Sequence, residues 1–217
     1  MKDRFCWVIW LVTALWADGE SVAERVFERD DAKLNQLYQE LRQTLPEERF
    51  AELRSDQRAW IDYRDFFAEA AVAQLGEGEG EAKREGAYWE AMAELTRGRM
   101  AILEGWKATE AERTWAGRYR DGYGGELVLR EEEGALRFEI AVVRGPTFHT
   151  GELEGKAERN GFLARFSDGG AEHSDGKKTW VDFEVLDGAR VRVTGIHTHP
   201  YHGVRAFFDG VYVRVER

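Results

Sequence analysis

Cysteine occurs once in 217 residues, at Cys6, and proline only three times. A single cysteine cannot close an intrachain disulfide, so packing alone must hold the fold. Positive charge is in deficit: 31 basic against 41 acidic side chains give a net charge of −10. That balance disfavours nucleic acid as a partner, because phosphate backbones are held by Lys and Arg. No apolar run reaches the roughly 20 residues that a bilayer span needs. The four serines are Ser21, Ser55, Ser167 and Ser174, and none stands in a Gly-x-Ser-x-Gly elbow. His173, Ser174 and Asp175 are adjacent, and adjacent residues cannot form a triad, so that stretch reads as a polar turn. What is present is 43 % apolar residues, enough for a real core. The 23 glycines fall mostly after residue 75, dividing a Gly-poor front from a Gly-rich back.

Residues 1–17 read as a signal peptide. Lys2 and Arg4 form a basic start, Phe5 to Leu15 an apolar stretch, and Ala14-Leu15-Trp16-Ala17 a cleavage region. An N-terminal membrane anchor is the alternative. Cleavage would remove Cys6 and a net +1, leaving an exported chain of charge −11 without cysteine.

From residue 18 to 112 the pattern is helical. Ser21-x-x-Glu24 is a capping-box signature. Leu34, Leu37, Tyr38, Leu41 and Leu45 follow at steps of three and four, and Pro46 marks the start of a second helix. The second stripe runs through Phe50, Leu53, Trp60 and Phe67, but also through polar Gln57 and Arg64. Asp31 and Asn35 interrupt the first stripe likewise. An antiparallel hairpin sets Asp31 opposite Arg64, and Asn35 near Gln57 and Trp60. The expectation is a buried or half-buried cluster in which Asp31 accepts from the Arg64 fork, chiefly to fix helix register. If the Arg64 charge is buried, Asp31→Ala should cost several kcal/mol. Gly76-Glu77-Gly78-Glu79-Gly80 reads as an acidic loop, since its glutamates would repel phosphate and no Gly-Lys-Ser/Thr follows. A third helix is expected from about Glu81 to Ala111, with Tyr88, Met92, Leu95, Arg99, Ile102 or Leu103 and Trp106 inward.

Asp31-x-x-Leu34-Asn35-x-x-Tyr38, then Gln57-x-x-Trp60-x-x-Tyr63-Arg64, then Thr96-x-x-Arg99, resembles the N-terminal domain of the lysozyme inhibitor LprI family. The resemblance covers about residues 25–105. It implies an exported or envelope-associated protein, non-enzymatic, with a lysozyme-type muramidase as a partner. Family members usually carry cysteines where this chain has Phe66-Phe67-Ala68 and Tyr88 to Met92, so aromatic packing is expected in place of a disulfide.

From 113 to 217 the period changes to two. Eight short strands are expected, with Asx-Gly pairs such as Asn160-Gly161 and Asp187-Gly188 as turn signals. They start with Gly117–Arg120 and continue through Glu126–Leu129, Leu136–Val143, Thr147–Ala157, Phe162–Phe166, Thr179–Val185, Arg190–Thr194 and Val211–Val215. Residues 203–210 read as the strand and turn that close the sheet. Interior candidates are Leu127, Leu129, Leu136, Phe138, Ile140, Phe162, Ala164, Phe166, Trp180, Phe183 and Tyr212. The fold class is therefore α+β: an antiparallel three-helix domain followed by an antiparallel β-meander closed as a barrel or sandwich. This half loosely resembles β-domains that follow LprI-type domains in other exported bacterial proteins.

Three of five histidines gather at His197, His199 and His202, a spacing that would suit zinc with an open position. His-Thr-His-Pro also looks like part of the JAMM metalloprotease motif, but Phe207 to Gly210 stands where Ser-x-x-Asp is needed. No catalytic residue, metal or cofactor is expected. The leading expectation is an exported binding protein whose acidity favours encounter with a basic lysozyme-type protein. Its contact loop would be residues 195–203 or the turn at Gly145-Pro146. The alternatives are a structural envelope protein without inhibitory activity, or a barrel holding a small ligand in its interior or a metal through His197, His199 and His202.

Overall fold

The computed structural model describes residues 21–76, 78–107, 114–145, 147–170 and 176–216. The expected leader, the domain boundary at 112/113 and the 173–175 turn lie outside the described residues.

Helix α1 (Val22–Thr44) starts where Ser21 Oγ accepts the Glu24 amide at 3.0 Å. Pro46 lacks an N–H and precedes α2 (Glu47–Ala73), and residues 76–80 lead into α3 (Glu81–Trp106). The third helix thus closes at Trp106, before the expected Ala111. Its direction follows from its contacts. Asp30 and Glu40 of α1 meet Arg97 and Lys107, so α1 and α3 run parallel. Gln57 of α2 meets Arg99 and Asp31 meets Arg64, so α2 runs antiparallel to both. Leu34, Leu41, Leu53, Trp60, Ile102 and Leu103 fill the space between the helices.

The β half is a closed eight-stranded antiparallel barrel in sequence order. Its strands are β1 (Gly117–Arg120), β2 (Gly125–Glu132), β3 (Ala135–Arg144), β4 (His149–Asn160), β5 (Leu163–Ser167), β6 (Trp180–Val185), β7 (Arg190–Ile196) and β8 (Gly210–Glu216). Closure pairs β8 with β1, which leaves no open edge to aggregate. The barrel is filled. Phe138 lies 4.8 Å from Phe183 and 5.1 Å from Phe166 between ring centroids. Gly155 makes room for them: a Cβ there would sit 2.6 Å from the Phe166 ring. The ligand cavity considered for the barrel interior is therefore occupied by aromatic rings.

Three sequence expectations change. Phe162 sits in the β4–β5 turn, half exposed, and Trp180 lies on the outer wall under Arg165 and Lys178. Trp180 and Phe183 differ by an odd number, so a strand of period two cannot bury both. Residues 203–209 are not a strand, and β8 begins only at Gly210. A 3-10 turn (His199–Tyr201) leads into an irregular segment whose Ala206 and Phe208 plug the barrel end. The expected aromatic substitute for a disulfide is also distributed differently. Phe67 packs edge-on against Phe148 of the barrel, whereas Trp89 stacks on Phe27 of α1.

The two halves meet where α3 crosses β8. A Cβ on Gly105 would stand 2.5 Å from both the Arg214 carbonyl and Val213, so only glycine lets the helix lie this close. Val213 joins the helical core.

Candidate binding site at the helix–barrel seam

Glycines in the β1–β2 turn bring the chain tightly past α2 and α3, and a buried polar network forms there. Arg99 is 1 % exposed. Its Nε donates to Gln57 Oε1 at 2.8 Å and its Nη2 to Asp56 Oδ2 at 2.7 Å. The other oxygen of Asp56 accepts from the Tyr123 hydroxyl at 3.1 Å. Burial, and then the Asp56 charge, push the Tyr123 phenol well above its ordinary value of 10, so it stays protonated and donates. The Tyr123 and Gly125 amides both donate to Asp121 Oδ1 at 2.8 Å. Arg144 closes the chain, with Nη1 2.6 Å from Asp121 Oδ2, and both side chains are 4 % exposed. Arg144 also donates to the Tyr123 and Phe207 carbonyls and to the Tyr212 hydroxyl. Every nitrogen of that guanidinium is satisfied, which is the condition for burying a charge.

Beside the network lies a cleft of about 1010 Å³. Strand register explains its walls. Val191, Val193 and Tyr212 point into the barrel, so Arg190, Arg192, Val211 and Val213 share the outer face, with Arg190 opposite Val213 and Arg192 opposite Val211. Glu52, Asp56, Tyr63 and Phe66 of α2 form the facing wall, with Ile102 and Trp106 of α3 joining them. Gly145, Thr147, His149, Arg205, Phe207 and Asp209 border the barrel end. At one end Arg190 crosses from the barrel to Glu52 at 2.5 Å, holds Asp187 at 2.7 Å and lies over Trp106.

The motif residues divide between this seam and the helical core. Gln57 and Arg99 belong to the network, and Tyr63 lines the cleft with its ring 5.3 Å from Tyr123. Leu34 and Trp60 are core, and Arg64 and Arg99 lie over the Trp60 ring at 5.2 and 5.4 Å. Tyr38 packs on Phe50, and Thr96 is fully buried. Residues 17–103 match the family described as lysozyme inhibitor LprI. The LprI match covers less than half of the chain and stops before the barrel. No curated protein and no solved structure matches the chain.

Within the LprI segment the Asp31–Arg64 pair forms, but loosely. The contact is a single one of 3.3 Å, and Arg64 is held more closely by Asp65 at 2.9 Å. Asn35 is exposed and donates to Asp31 on its own helix, so it does not approach Gln57. The carboxylate that is fully buried is the neighbouring Asp30, flanked by Arg29 and Arg97. Asp56, Asp121, Tyr123, Arg144 and Arg190 escaped the sequence reading. Arg144 did carry a signal: it occupies an inward position of β3, following Ile140 and Val142.

The histidines do not converge. His202 engages Thr198 at 3.0 Å and the Gly203 carbonyl at 2.9 Å, with its ring edge-on to Phe208. His197 and His199 are exposed, and among the described residues no group of three metal-binding side chains forms. Of the two loops singled out by sequence, the 195–203 segment reaches the start of β4. A bridge pairs Gly151 with His202, and the Gly203 amide donates to the Thr150 carbonyl at 2.9 Å.

Proposed function

We propose that this chain is an exported, non-catalytic binding protein whose target is a basic lysozyme-type muramidase. The LprI match over residues 17–103 carries this reading. The net charge of −10 supports it, because an acidic protein gains favourable steering toward a basic one. The contact surface in this reading is the barrel end where residues 147–149 and 197–207 lie together. Phe148 and Phe207 are about half exposed there and Val204 almost wholly so. Exposed aromatics beside a polar rim are what protein interfaces favour. Phe148 also holds a left-handed backbone (φ 50°), a strain seen where function demands a fixed side-chain direction.

The test uses the chain from Asp18 onward, titrated against a basic lysozyme in a cell-wall lysis assay and by calorimetry. The expected outcome is inhibition saturating at one equivalent and weakening with salt. Undiminished lysis at stoichiometric excess, with no heat of binding, overturns the reading.

A further inference from the structure

We propose that the seam cleft binds a small amphipathic anion, with an apolar body between the α2–α3 face and the barrel wall and its carboxylate or sulfonate at Arg192 and Arg205. Small-molecule sites of about 300–1,000 Å³, mostly apolar with a few placed polar groups, occur preferentially where two structural units meet. This cleft has that size and position. Its apolar lining comes from Ile102, Trp106, Val211 and Val213, with Phe66 and Phe207 half exposed beside them.

The sign of the ligand follows from which lining charges already have partners. Glu52 holds Arg190, Asp56 holds Arg99 and Tyr123, Asp121 holds Arg144, and Asp209 accepts the Gly195 amide at 3.1 Å. Three of the four lining carboxylates are therefore paired with arginine within the protein, and a cationic ligand would find only Asp209, already bonded through one oxygen. Among the arginines, Arg144 and Arg190 are fastened in the same pairs. Arg192 is different. It is about half exposed and held only through Nη1, by Glu184 on the outer wall. Arg205 is exposed and makes no ion pair among the described residues. The cleft thus presents an apolar interior with two available guanidinium groups, and guanidinium recognises carboxylate and sulfonate oxygens in pairs. The chain's net negative charge opposes polyanions at long range, which favours a ligand of single charge.

The experiment titrates the intact chain with anilinonaphthalene sulfonate by fluorescence, and with decanoate, decyltrimethylammonium and decyl maltoside by calorimetry. Saturable binding of the sulfonate at one site, displaced by decanoate and not by the cation, is expected. Each charge-assisted hydrogen bond is worth a factor of roughly ten or more. Arg192→Gln with Arg205→Gln should therefore weaken decanoate at least about tenfold. Val211→Glu, at a partly exposed position, should abolish binding while near-ultraviolet circular dichroism stays native. Equal affinity for anion and cation, displacement by the maltoside as readily as by decanoate, or unchanged affinity in the double arginine variant overturns the proposal. So does the absence of saturable binding to the wild-type chain.

Discussion

The Asp121–Arg144 pair offers the sharpest test of how the barrel end is held. Asp121→Asn preserves size and keeps Oδ1, so the amides of Tyr123 and Gly125 retain their acceptor. The other atom becomes an NH₂ group facing Arg144 Nη1, now 2.6 Å from Asp121 Oδ2. Donor then meets donor, and a guanidinium that is 4 % exposed loses its counter-charge. Removing one partner of a buried pair costs about 3–5 kcal/mol. The retained amide bonds place this variant at the lower end, about 3 kcal/mol. For a chain of this size each kcal/mol lowers the melting temperature by about 2–4 °C, so a fall of about 6–12 °C is expected. Arg144→Met should cost a similar amount, by leaving the carboxylate without its cation. The double variant should cost less than the sum, with a coupling of about 1–3 kcal/mol. Urea unfolding followed by tryptophan fluorescence and far-ultraviolet circular dichroism measures all three, coincident transitions confirming two-state behaviour. A single variant within about 1 kcal/mol of wild type, or strict additivity in the cycle, would refute the reasoning.

Alkaline pH should unfold the chain through its buried phenols. Burial raises the pKa values of Tyr63, Tyr119, Tyr123 and Tyr212 above the ordinary value of 10. A raised folded-state value means stability is fully present below pH 10 and falls as pH rises beyond it, because the unfolded chain releases the proton first. Tyrosinate absorbance should therefore show these four groups ionising together with loss of structure; reversible titration of all seven tyrosines near pH 10 would contradict this. Asp31→Ala should cost only about 1 kcal/mol, less than a fully buried partner would, because Arg64 keeps Asp65 and its place over Trp60. A loss above about 3 kcal/mol in urea unfolding would show that Asp31 alone balances that charge.

How far the sequence revealed this molecule can be judged residue by residue. The strands were legible because Asx-Gly turns and period-two alternation are local signals. Trp180 was misplaced because only strand parity, and not apolarity, says which face a side chain takes; Phe162 shares the parity of the buried Ala164 but falls in the turn before β5 begins. Asp31 was chosen over Asp30 by a similar slip. One residue along a helix turns the side chain by about 100°, and the packing of α3 decided which of the two was buried. The seam was not legible. Asp56, Tyr123 and Arg144 are far apart in the chain, and each reads alone as an ordinary surface residue or a break in a pattern.

Local rules, written in spacing and turn chemistry, thus determined three helices, eight strands, the acidic surface and the LprI motif. Which polar groups lie buried, and that a cleft opens outside the barrel and not within it, were settled only when α3 docked on β8. The physical reason is that burial depends on what a neighbouring element covers. At Gly105 that neighbour is a strand more than a hundred residues away.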